Sequence, residues 1–480
     1  MTTLAQLDLT EGATIAQVRA IMSGIGIYGL DAQPEFFNLY GIGYPFFHTG
    51  ISYFAGDTLR AGRFASGALI VASTFLMFIV LRRKTSSINS LVFCAFFYAA
   101  CTYGQTPLDR PDALGLFVYV SGMALIEMSE PSAPSVLGVI SISFLGFLVK
   151  PYFMVIGPLG ISYIFLFRSY RMGIIYASIW LAAFCVLLLA LNATMPFYIT
   201  DVVAAQSVAS DTTITVKSTE YMLRQVVAFL GFIAGPLWLG LVGLGARIVR
   251  RPRDQDRYHW RWTFAGYGFV VTGLILVTKL GYSTGNWLVY FFDLLLPFFM
   301  VWLAEQAPTL QDLPSPIAAL VVVGIGASSA FTSYHGLWSP RVLGQIEMAW
   351  QQVAQDVQSH GKVLGSPAIS ALLVAEHRAV FDTGHTGYFP LSADPNALRL
   401  DGFTQPPGRV LNIWQTYCRN MRGMIANRAF DIIIRSSVDG HNNRQPDCFS
   451  GIPSTYRLSG RISFPVPWVN SLTVWLPKTP

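Results

Sequence analysis

Apolar runs long enough to cross a lipid bilayer recur through the first 334 residues, near positions 63–82, 87–104, 112–127, 134–149, 152–167, 173–192, 226–246, 263–281, 287–304 and 315–333. A helical span takes about 20 mostly apolar residues, with about 17 tolerated, because its backbone groups must hydrogen-bond within the segment. This part of the chain is therefore read as a bundle of about ten transmembrane helices. Composition agrees: 53% of the 480 residues are hydrophobic and 12% are charged, against roughly 25% charged in an ordinary soluble domain. Mean hydropathy is +0.47. A formal charge of +6 on its own suits nucleic acid, but Arg and Lys fall in short clusters between the apolar runs. Such clusters are topology determinants, and no nucleic-acid partner is expected.

Each crossing fixes which loops share a side. "RRK" (Arg82, Arg83, Lys84), "RSYR" (Arg168, Arg171) and the basic stretch 247–262 all fall on one face, which the positive-inside rule makes cytoplasmic. The opposite face receives residues 1–62, the "DRPD" loop, Lys150, residues 195–226, "KLGYSTGNW" and everything after Ser333. Within 195–226, "TVKSTEYMLRQVV" is expected as an interfacial amphipathic helix. The expected organisation is an outer loop with juxtamembrane helices over 1–62, a transmembrane catalytic domain over 63–334 and a soluble α/β domain on the outer face over 335–480. An N-terminus on the outer side, with no apolar segment before it, leads to the expectation that a first transmembrane helix precedes this sequence. The alternative is an N-out protein inserted by its later helices.

Charges near a membrane are costly, at least about 2.5–3.5 kcal/mol at the bilayer centre. Yet Arg63, Asp109, Arg110, Asp112, Lys150, Lys279 and Asp293 all sit at or near the outer helix ends. Snorkelling and helix-end ion pairing explain any one of them; jointly they indicate a mixed-charge cavity opening outward. Pro111 suits the first turn of a helix, which places Asp112 at that helix start and Asp109 near its N-cap, where the helix dipole favours an acid.

Other patterns point to structure. "GIGIYG" (Gly24, Gly26, Gly29) has the spacing of a dinucleotide fingerprint without its strand–helix context and reads as a turn. The small residues over 235–245 suit close helix packing. The seven His are scattered, with no metal-ligand spacing, and no nucleophile elbow or Walker A sequence is present. Cys94, Cys101 and Cys185 fall in apolar helices. Cys418 and Cys448 lie in the outer part, where an oxidising compartment permits a bridge. In the tail, "GLWSPRVLGQIEMAWQQVAQDVQSH" has helical periodicity, "GKVLGSPAISALLVAEH" reads as strand, turn and helix, and "FDIIIRSS" and "SLTVWLP" read as strands.

Residues 8–67, with "FFNLYGIGYPFFHTGISYFAGDTLRAGRFASG" at their end, resemble the first outer loop and second helix of the GT-C glycosyltransferases that use polyprenyl-phosphate sugars. These include the protein mannosyltransferases, the lipid A aminoarabinose transferase and the rhizobial core galacturonosyltransferases. "RPDAL" (110–114), "KPYF" (150–153), "KLGYSTGNWLVYFFDLLLP" (279–297), "GKVLGSPAISALL" and "FDTGHTGYF" follow in the family's order. The resemblance implies a GT-C fold in the cytoplasmic (inner) membrane with its site facing the periplasm. It implies a carboxylate base in the first outer loop. Members carry an acidic pair followed by Gly; here the sequence is Thr10-Glu11-Gly12, so Glu11 matches the second acid and Thr10 replaces the first. Asp109 or Asp112 matches an acid of the second outer loop. Lys150 and Lys279 match basic positions facing the donor phosphate, joined here by Arg110 and Arg63, while Tyr44, Tyr282 and Asn286 are assigned to the substrate pocket.

The chemistry so implied is transfer of a hexose or pentose from a polyprenyl-phosphate donor to a hydroxyl of a glycan, lipid or protein acceptor, with inversion at the anomeric carbon. A carboxylate takes the acceptor proton, and cations meet the charge growing on the departing phosphate. No organic cofactor is called for; a divalent metal is compatible with the scheme. Two rival readings remain open: a secondary transporter or lipid flippase, for which intramembrane charge is also expected, and a degenerate, inactive member of the family, suggested by Thr10.

Overall fold

Thr58 shows how the membrane helices begin. Its backbone is extended and its side chain accepts the Ala61 N–H at 3.2 Å, satisfying one of the amide donors a helix start leaves open. The helix it caps runs 24 residues, Leu59–Arg82, roughly 36 Å at 1.5 Å per residue, enough to cross a bilayer. A computed structural model of the chain describes residues 5–7, 9–30, 38–56, 58–103, 108–129, 133–209, 216–249, 263–278, 287–306, 340–381, 385–436, 448–449, 451–464 and 471–479. Its first helices are α1 (Leu9–Met22), α2 (Gly43–Ala55), α3 (Leu59–Arg82), α4 (Ser87–Tyr103), α5 (Pro111–Met128), α6 (Ala133–Val149), α7 (Ile156–Phe167) and α8 (Tyr170–Thr194). A 3-10 turn, Pro151–Val155, leads into α7, and helices Val216–Val249, Phe264–Thr278 and Leu296–Gln306 follow.

Within the described residues each apolar run up to residue 304 falls on helix; the run at 315–333 lies outside the described residues. By length and composition α3, α5 and α8 can each cross a membrane, and shorter apolar helices accompany them. α8 leaves Ile174, Ile175, Leu181, Val186 and Leu189 exposed, a bare apolar surface that suits lipid. Residues 216–249 form one continuous 34-residue helix with Pro236 inside it, so the expected interfacial helix and the run after it are a single element.

Polar clusters mark the two ends of the bundle. Lys84, just beyond α3, reaches Glu127 of α5 at 2.9 Å and Glu305 of Leu296–Gln306 at 3.1 Å. Arg63, Asp112 and Asp293 lie near the opposite ends of the same three stretches. Basic residues expected on the cytoplasmic side and acids expected on the outer side therefore stand at opposite ends of the helices.

The tail folds as a four-stranded sheet with flanking helices. Strands β1 (Val363–Gly365), β2 (Ile432–Ser436), β3 (Tyr456–Ser463) and β4 (Ser471–Pro477) are ordered β1-β2-β4-β3; β1 and β2 are parallel, and the other pairs antiparallel. Helices Pro340–Gln358 and Pro407–Ala426 bury Trp350, Val353, Val410 and Trp414 in the core shared with β2. Cys418 and Cys448 form a disulfide within it. That core continues into α1 through Ile15, Ala16 and Ala20. Gln6 donates to the Pro367 carbonyl at 2.8 Å and accepts from the Ala371 N–H at 3.2 Å. Gly12 is what lets α1 approach: a Cβ there would stand 2.9 Å from the Ala371 nitrogen.

Candidate active site

Pro111 starts α5 with Arg110 as its extended N-cap residue and Asp112 in its first turn. The N-cap is thus Arg110, with Asp109 immediately before it. Before it the chain turns tightly, Arg110 N–H donating to the Leu108 carbonyl at 2.8 Å. The turn sends Asp109 toward α2 and α3, and Arg110 and Asp112 toward the start of the Pro151 turn. "DRPD" therefore joins two polar groups of side chains, and Asp109, Arg110 and Asp112 are all buried.

The first group is built on Glu11. Arg63 grips its carboxylate with two bonds, Nε to Oε1 at 2.7 Å and Nη2 to Oε2 at 2.7 Å, the bidentate geometry that suits guanidinium and carboxylate. The Leu7 N–H donates to Oε2 at 2.8 Å and the Asp109 N–H to Oε1 at 3.1 Å. A carboxylate offers about four lone-pair sites, and all are taken. The Glu11 carboxylate, expected as the base, is here bonded to Arg63 and to the turn before α5. Arg63, expected at the donor phosphate, likewise spends its guanidinium on Glu11 and on the Ala5 carbonyl at 2.8 Å.

Asp109 is less committed. Its Oδ1 receives the Tyr44 hydroxyl at 2.8 Å, and His48 Nδ1 lies 3.1 Å from the same oxygen. Tyr44 also meets Ser66 Oγ at 3.1 Å; because the tyrosine donates to Asp109, Ser66 donates to it. Among the described residues Asp109 Oδ2 has no hydrogen-bond partner, and neither has His48 Nε2. The carboxylate lies directly on Gly62 of α3, where any Cβ would overlap it. α2 supplies the polar wall through Tyr44, His48 and Ser52, all buried, while Phe46, Tyr53 and Phe54 on its other side are exposed. Such a helix is apolar outward and polar inward. At roughly 20 Å it is too short to span a bilayer, and its aromatic face suits the membrane boundary.

In the second group, Lys150 donates to Asp112 Oδ1 at 2.6 Å and Tyr152 to the same oxygen at 3.3 Å, while Arg110 Nε stands 3.0 Å from Oδ2. The Lys150 ammonium also sits over the Tyr40 ring at 4.9 Å and the Tyr152 ring at 5.7 Å, favourable placements for a cation. Tyr152 packs edge-on to Tyr290 with ring centroids 4.6 Å apart. Two cations share one carboxylate in direct contact.

The structure thus brings Glu11, Arg63, Asp109, Arg110, Asp112, Lys150 and Tyr44 into one connected cluster. Lys279, Tyr282 and Asn286 lie outside the described residues. His48, Ser66, Tyr40 and Tyr152 were not singled out from sequence. Tyr44, His48 and Ser52 recur every four residues, the spacing of one helix face, a signal that polar residues in an otherwise aromatic segment carry. Among the described residues no group of three or more His, Cys, Asp or Glu is placed to hold a metal.

No protein-family model matches the sequence, and no curated protein matches it. Solved structures do. ArnT from Cupriavidus metallidurans in the apo state superposes with a TM-score of 0.58 at 12% identity, covering 98% of this chain and 93% of ArnT. The same protein bound to undecaprenyl phosphate superposes with a TM-score of 0.51 at 12% identity, covering 98% and 94%. Over nearly its whole length, the chain has the fold of ArnT.

Proposed function

We propose that the protein is a multi-pass inner-membrane glycosyltransferase that moves a hexose or pentose from a polyprenyl-phosphate donor to an acceptor hydroxyl on the periplasmic side. The observation that carries this reading is the connected cluster from Glu11 to Lys150 at one end of the helices of a GT-C fold. That one structure of this fold holds undecaprenyl phosphate supports a polyprenyl-phosphate ligand here.

In this reading Arg110 and Lys150, with Lys279, receive the donor phosphate, and the apolar tail lies against exposed helix faces. Asp109 takes the acceptor proton on Oδ2, the oxygen without a partner among the described residues, while Tyr44 donates to Oδ1 and His48 lies beside it. As the acceptor oxygen bonds to the anomeric carbon, the bond from that carbon to the phosphate oxygen breaks. The electron pair leaves with the lipid phosphate, where the cations stabilise it. A single displacement inverts the anomeric centre. Asp112 positions the two cations, and Glu11 with Arg63 positions the turn that carries Asp109. The acceptor is a hydroxyl of a glycan, lipid or protein.

The test is incubation of purified protein with a panel of polyprenyl-phosphate hexoses and pentoses in bilayer nanodiscs, reading release of free lipid phosphate. Release should depend on an added acceptor and fall by about 10²–10⁴ in Asp109→Asn, the usual contribution of a general base. No release from any donor by wild-type protein sinks the reading. Undiminished release by the variant sinks only the role of Asp109.

A further inference from the structure

Among the described residues, Asp293 is an acid near this cluster that the scheme above does not use. It sits in a π-helical turn, Phe291–Leu295, fully buried, and among the described residues neither carboxylate oxygen has a hydrogen-bond partner. Lys150, Arg110 and Asp112 are within electrostatic reach of it, as are Tyr152 and Tyr290. The cations nonetheless make their direct contacts with Asp112. Buried polar groups are almost always hydrogen-bonded, and an exception needs a reason. A carboxylate buried without partners weakens a fold by the full cost of desolvating it. A leucine would fill this position between Phe292 and Leu294 at no such cost. π-helical turns inside helices are frequently found at functional sites.

We propose that Asp293 is the sugar-recognition carboxylate of the site, its two oxygens accepting hydrogen bonds from adjacent hydroxyls of the donor sugar. This rests on the glycosyltransferase reading and names the part of the substrate the residue meets. A donor whose phosphate lies at Arg110 and Lys150 has its sugar one bond away from them, within reach of a carboxylate that interacts with the same cations. The edge-on pair Tyr152 and Tyr290 supplies aromatic faces, which complement the apolar C–H faces of a sugar ring. A bare lipid phosphate offers Asp293 no hydroxyl; the sugar-bearing lipid satisfies both oxygens.

The experiment compares binding of polyprenyl-phosphate hexose and of bare polyprenyl phosphate to full-length protein in nanodiscs. Hydrogen bonds to a charged group are worth about 1.5–3 kcal/mol, so wild-type protein should prefer the sugar-bearing lipid by about tenfold to a hundredfold. Asp293→Leu should erase that preference without weakening the affinity for bare polyprenyl phosphate. Asp293→Asn, which keeps the shape, gives the same comparison with a reduced preference if the leucine variant does not fold. Equal loss of both affinities would mean a structural role, and an intact preference would mean no role; either overturns the proposal and leaves the glycosyltransferase reading standing. Wild-type binding without preference likewise overturns the proposal alone. Binding of neither lipid by wild-type protein overturns both.

Discussion

Replacing Glu11 by alanine would take from the buried Arg63 guanidinium its carboxylate partner and would remove the acceptor of the Leu7 and Asp109 amides. Breaking a buried ion pair from one side costs about 3–5 kcal/mol. Glu11→Ala should therefore lower the thermal midpoint and the yield of folded protein along with activity. Asp109→Asn, whose Oδ2 carries no structural bond, should melt within a few degrees of wild type. A melt of both variants in detergent checks the contrast; equal stability would mean that Glu11 is not the anchor its contacts describe. This distinction was beyond the sequence. Acids and bases stand out in a chain with 12% charged residues, so Asp109, Asp112 and Lys150 were visible as candidates. That Glu11 has no lone pair left depends on Arg63, 52 positions away, and on two backbone amides, none of which a local motif reports.

Between elements, α3 and the turn before α5 meet closely at the site. A methyl at Gly62 would fall on the Asp109 carboxylate itself, so Gly62→Ala must push Asp109 away from Tyr44 and His48. Overpacking of this kind costs typically about 1–3 kcal/mol, and a shift of about 1 Å in a reacting group costs on the order of a hundredfold in rate. The expected outcome is a folded protein with lipid-phosphate release reduced by about that factor; wild-type turnover would show that the carboxylate does not act from this position. Element boundaries were legible where a physical requirement forces a pattern. Membrane helices need long apolar runs, and β2 and β4 are dense in β-branched and apolar residues. β3, "YRLSGRIS", was missed because its side chains alternate weakly and mostly face solvent. The π-helical turns at Thr200–Ala205 and Phe291–Leu295 were missed because one extra residue per turn leaves no mark in hydrophobic periodicity.

At the scale of the whole molecule, the tail and the first loop share one core. α1 carries Glu11 and packs on helix Ser370–Ala375, which follows β1. A division at residue 335 read from hydropathy cannot reveal this, because the two parts meet only through long-range contacts. The arrangement makes activity dependent on the tail's stability. The Cys418–Cys448 bond closes a loop of 30 residues, for which the chain-entropy model gives about 3.5 kcal/mol. Cys418→Ser with Cys448→Ser should therefore lower the unfolding midpoint of the tail, followed by the fluorescence of its buried Trp350 and Trp414. Release of lipid phosphate should fall with the same midpoint, since unfolding the tail frees α1, loosens Glu11 from Arg63 and lets Asp109 drift. Activity that persists above the temperature at which the tail fluorescence has changed would show that the cluster holds together without the tail, and that the shared core is packing alone.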